Sequence, residues 1–126
     1  MMDLAGTRAA LVDALNSVAT GQHQLWHAYA PDAPAPPSGW VEALALDYTT
    51  GNGYCLARAS ASLLVVAQRH DARGSTQMLE RHLPDWVEAV GKVPGVQVQG
   101  AEIGIATVAG QELPAVKIET VFYVSS

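Results

Sequence analysis

The chain has 126 residues, seven Lys and Arg against twelve Asp and Glu, a formal net charge of −5 and one cysteine, Cys55. A 49% hydrophobic content is enough to bury the core of one domain, which excludes a disordered chain, and a lone cysteine excludes an intramolecular disulfide. So few cations argue against a protein that grips nucleic acid through many phosphate contacts, and a charged fraction of only 15%, below the usual quarter, implies a surface rich in Ala, Ser, Thr, Gly and Gln or one partly covered by other chains, which makes a homo-oligomer an expectation.

The opening Met1-Met2-Asp3-Leu4-Ala5-Gly6 has neither the basic region nor the long apolar stretch of a signal peptide. No uninterrupted apolar run approaches the ~20 residues of a membrane span. A soluble protein, made in the cytoplasm and folded as a single domain over residues 1–126, is expected.

Leu4, Leu11, Leu15 and Val18 recur at helical spacing, which predicts an amphipathic helix over residues 7–18, with Asp3 or Thr7 as cap and Thr20-Gly21 as stop. Residues 25–29, with Trp26 and Tyr29, read as a short strand ended by Pro31. Residues 31–39 hold four prolines, Pro31, Pro34, Pro36 and Pro37, and are expected to run extended over the surface outside any ladder. Residues 40–48 read as a strand with Trp40, Glu42, Leu44, Leu46 and Tyr48 on one face and Val41, Ala43, Ala45 and Asp47 on the other.

Asn52-Gly53 is the strongest hairpin signal in the chain. It returns the chain into a strand over residues 54–68, whose apolar run Leu63-Leu64-Val65-Val66 suits a central strand covered on both faces. Asp71, with Ser75 as rival, is placed to cap a second helix carrying Met78, Leu79, Leu83, Trp86, Val87 and Val90. Pro84 is expected to kink or restart that helix near Leu83. Gly91 and Pro94-Gly95 end it. Two strands follow, residues 96–108, with Gly100 and Gly104 allowing a bulge, and residues 115–124, with Val116, Ile118, Thr120, Phe122 and Val124 facing the core. The fold class is α+β: a mixed, mainly antiparallel sheet of about four to five strands with two helices packed on it, in the order α-β-β-β-α-β-β.

Catalytic chemistry has little to stand on. His23 and His27 are four apart, but Gln24 takes the place of the Glu that a zinc-protease helix requires. His70-Asp71 reads as a strand-to-helix corner, His82 as half-buried packing and Cys55 as a small buried residue. Ser75 lacks a nucleophile-elbow context. Asp47, Glu80, Asp85 and Glu88 are scattered, and no phosphate-binding glycine loop is present. No enzyme activity, metal or cofactor is expected. Two readings from other classes remain: an assembly protein and a small immunity-type domain that binds one protein partner.

The succession of Arg8-Ala9-Ala10-Leu11-Val12-Asp13-Ala14-Leu15, a short aromatic strand before Pro31, Trp40-Val41-Glu42, the Leu- and Val-rich strand, Met78-Leu79-Glu80 and Trp86-Val87-Glu88-Ala89-Val90 resembles the tail terminator or tail completion proteins of long-tailed phages. Neck and other head–tail connector proteins are similar in size. The resemblance implies a virion protein that forms a ring, typically of six copies, at the head-proximal end of the tail tube. Such a ring stops tube growth, meets the tail tube protein on one side and a neck or stopper protein on the other, and lets DNA pass through its lumen without specific binding. Candidate contacts with a neighbouring copy or the tube are the hairpin tip, Thr50, Gly51, Asn52, Gly53 and Tyr54, and the prolines Pro34, Pro36 and Pro37.

Overall fold

A computed structural model describes residues 3–17, 26–29, 38–47, 56–67, 72–108 and 110–125. The elements are α1 (Leu4–Ser17), β1 (Trp26–His27), β2 (Ser38–Asp47), β3 (Leu56–Val66), α2 (Ala72–Gly91), β4 (Gln97–Val108) and β5 (Gln111–Ser125). They form a five-stranded sheet in the order β1-β2-β3-β5-β4. β1 lies parallel to β2, and every other pair is antiparallel. The expected class and element order hold.

Both helices pack on one face of the sheet. From β3 that face takes Ala57, Ala59, Ala61, Leu63 and Val65, and from β5 their neighbours Val116, Ile118, Phe122 and Val124. Leu11 and Leu15 of α1, and Leu79, Trp86 and Val90 of α2, close over them. The small alanines of β3 lie beside the larger residues of β5 in this layer. Thr120, buried among them, donates its hydroxyl to the Ala61 carbonyl at 3.0 Å, so this polar group costs little. On the opposite face Trp40, Leu64, Val66, Leu113 and Ala115 make a second, smaller apolar cluster. β3 is therefore buried on both faces over its apolar run, as its sequence demands.

Asp3 caps α1. Its carboxylate accepts the Gly6 amide, and its carbonyl accepts the Thr7 hydroxyl at 2.7 Å. Thr7, the other expected cap, is instead a buried residue of the first turn. α1 also secures β1, which has only two residues of its own. The Asn16 amide donates to the Trp26 carbonyl at 3.1 Å, and the Trp26 N–H donates back to Asn16 Oδ1 at 3.0 Å. Arg8 donates to the Ala28 carbonyl at 2.7 Å and lies 4.2 Å over the Tyr29 ring. Trp26 then meets Trp86 edge-on at 5.6 Å, which joins β1 to α2.

Four expectations need correction. Ser38 and Gly39 belong to β2 and pair with β3, so the extended proline segment does not reach Gly39. The two faces of β2 do not alternate along its whole length. A bulge between Val41 and Ala43 adds a residue, so Val41 and Leu44 both face the helices while Trp40 and Ala43 face away. Of the kink or restart expected at Pro84, the restart does not occur: α2 is one element through Pro84. Pro84 and Glu80, whose carbonyl the ring leaves unbonded, are both exposed, and buried Leu79, Trp86 and Val90 hold the turns on either side. Ser75 sits inside α2 and is not its cap. Asp71 lies outside the described residues.

Candidate assembly surface

A sheet of this order has two free margins. β4 is the last strand on one side, and all twelve of its residues lack an outer neighbour among the described residues. On the other side β1 pairs only with Gly39 and Trp40, which leaves residues 42–47 of β2 with no strand beside them among the described residues. An unpaired strand presents a row of N–H and C=O groups ready to bond another chain.

β4 carries few of the usual guards against such pairing. It has no Lys and no Pro, its only charged residue is Glu102, and its bulge between Val98 and Gly100 lies near its start. The bulge resets the alternation, so Ala101, Ile103 and Ile105 lie on the helix side, opposite Ile118, Val116 and Pro114. Val98, near the start of β4, packs against the helix-side core, and the strand beyond it is uncovered on that side. Ile103 is therefore 39% exposed and Ile105 72% exposed. Gly104 stands between them with open space where a side chain would be, so a neighbouring backbone can approach closely. On the β2 margin Leu44 and Leu46 lie on the same side of the sheet, and Leu46 is 36% exposed.

The face away from the helices is polar beyond the Trp40 cluster. Ser62 donates to Glu119 Oε2 at 2.8 Å, and Lys117 pairs with Glu42 at 3.6 Å. Both members of that ion pair are more than a third exposed, so water screens it and it adds little stability. Glu42, Asp47, Glu102 and Glu119 outnumber Arg58 and Lys117 here, which makes this face acidic.

Nothing among the described residues converges as reacting groups must. A cavity of about 220 Å³ between the ends of α1 and α2 is lined by Ala14, Ser17, Asp85, Glu88, Ala89 and Lys92. Its charges are largely spent on the exposed Lys92–Glu88 pair at 3.1 Å, spaced i to i+4 on α2. His27 is exposed on β1, and the His82 ring lies 5.8 Å from that of Trp86. No group of three or more His, Cys, Asp or Glu is placed to hold a metal among the described residues.

The expected contact residues Thr50, Gly51, Asn52, Gly53, Tyr54, Pro34, Pro36 and Pro37 lie outside the described residues, as do His23, Cys55, His70 and Asp71. The structure does show the stem of the expected hairpin, paired from Ser38–Val66 out to Asp47–Arg58. The β4 edge was missed by sequence reasoning, although a signal existed: one charge in twelve residues, with alternating isoleucines where an edge strand usually carries lysine. No model of a known protein family matches the chain, and no curated protein matches its sequence.

Proposed function

We propose that this chain is a tail terminator or tail completion protein of a long-tailed phage. It acts as a structural virion protein, assembling as a ring of about six copies at the head-proximal end of the tail tube. The ring stops tube growth and joins the tail to the head-side neck protein. The resemblance in residue pattern and element order supports this reading. The observation that carries it is the β4 edge, a twelve-residue strand with no outer partner among the described residues and with Ile103 and Ile105 exposed. A surface of this kind suits strand pairing between proteins better than turnover of a small molecule.

A ring needs two different surfaces on each copy, since a head-to-tail contact closes only if one patch meets another. The two sheet margins answer that need. The acidic face without helices suits a channel for DNA, because it repels phosphates instead of binding them.

The test is tube growth in vitro. Tail tube protein polymerised with this chain is expected to stop at the chain's addition and to carry a ring at one end in negative stain. Tubes that grow unchanged and uncapped would sink the reading. A small protein-binding module is the second reading, favoured by the same edge, which can equally receive a strand from an unlike partner. It requires the chain to bind that partner as a monomer or dimer and to form no ring.

A further inference from the structure

The geometry points to a specific join between copies: β4 of one chain pairs antiparallel with residues 42–47 of β2 in the next, with Ile103 opposite Leu44 and Ala101 opposite Leu46. This deepens the ring reading and rests on it.

Direction comes first. The four long strands alternate along the sheet, since β2–β3, β3–β5 and β5–β4 are all antiparallel. A second β2 added beside β4 continues the alternation, and both helix layers stay on the same side. Each margin also offers apolar groups on that side, Ile103 and Ile105 on β4, Leu44 and Leu46 on β2. Joined, they form one apolar strip that neither copy can cover alone.

Charge then selects the register. With Ile103 opposite Leu44, Glu102 lies across Ala45, and Gly100 faces Asp47. Beyond Ala45, on the next strand, are Ser60 and then Arg58 on the same face. Neither Glu102 nor Arg58 is in an ion pair among the described residues. The short Ala45 side chain leaves room for the two to meet over it. Sliding the join by two residues, to place Ile105 opposite Leu44, would set Glu102 directly against Asp47.

The register also has a consequence for closure. Within a copy Ile103 is level with Gly39, through Val116 and Val65. Moving it to Leu44 slides each copy by about four residues, or ~14 Å, across a four-strand repeat ~19 Å wide. That corresponds to a strand tilt of roughly 35°, a value at which sheets close on themselves.

Disulfide trapping tests the join. In a full chain carrying Cys55→Ala, Leu44→Cys and Ile103→Cys together are expected to give, on oxidation, a ladder of covalent oligomers up to the ring, reversed by thiol. Either cysteine alone is expected to run as monomer. A covalent dimer from Ile103→Cys alone overturns the join in favour of β4 pairing with β4. An assembled chain without the 44–103 cross-link overturns the join and leaves the ring reading standing. A chain monomeric at every concentration and on tubes overturns both. Circular dichroism separates failure to fold from failure to assemble, and a charge swap supplies a second readout. Glu102→Arg is expected to raise the concentration needed for assembly roughly fivefold, and Arg58→Glu added to it is expected to restore assembly. A double variant no better than the single overturns the register.

Discussion

Gly39 marks where β1 meets β2 with no spare room. A Cβ at this position would stand 2.7 Å from Cε3 of Trp26, so Gly39→Ala forces the indole or the strand to move. A loss of about 1–3 kcal/mol is expected in urea unfolding, and an unchanged midpoint would contradict this packing. Asn16 acts on the same residue from the other side, satisfying both the N–H and the carbonyl of Trp26. Asn16→Leu leaves these groups without their partner and is expected to cost about 1–3 kcal/mol. An apolar substitution there that leaves stability intact would show that solvent replaces the amide. Neither role is legible in the sequence. Trp26 stands out as an aromatic in a short strand, but its bond to Asn16 joins positions ten apart and depends on how α1 turns back on β1. By contrast, Asp3, one of the two expected caps, and the apolar spacing of Leu11 and Leu15 are local signals that the fold bears out.

Among the elements, α2 and β4 show opposite lessons. Pro84 argued for a kink or a restart, and α2 runs as one element from Ala72 to Gly91, which excludes the restart. Propensity lost to packing, since buried residues on both sides of the proline hold the helix in place. Pro84→Ala is expected to stabilise the fold by about 1–3 kcal/mol, since it restores an amide donor at an exposed position. A lower thermal midpoint would mean that the proline shapes the helix favourably. β4 was correctly placed as a strand from its alternation, but alternation cannot reveal which strand ends up at a sheet margin. That depends on β5 entering between β3 and β4, a non-local choice. The β2 bulge was likewise hidden, because one extra residue leaves no composition signal and reverses the faces beyond it. At the exposed end of β4, Ile105→Lys is expected to leave circular dichroism and unfolding midpoint nearly unchanged, within about 0.5 kcal/mol. The same variant is expected to reduce assembly sharply by light scattering. Equal assembly by the wild type and Ile105→Lys would remove the β4 edge from the interface.

For the molecule as a whole, element order and class were readable because helix and strand periods are local and strong in this chain. The site was readable only in outline. The family resemblance, with which the low charge content is compatible, pointed to assembly, and the residues singled out for contact were the hairpin tip and the prolines. Those residues lie outside the described ones; the described residues present two sheet margins, one edged by Ile103 and Ile105 and the other by Leu44 and Leu46. Six copies at −5 each would form a strongly acidic ring, consistent with a channel that DNA crosses without being held. Native mass measurement of the wild-type chain over a wide concentration range tests this most directly. A closed oligomer of about six copies, with few open intermediates, is the expected result. A chain that stays monomeric throughout, and that does not cap tubes when they are added, would contradict it.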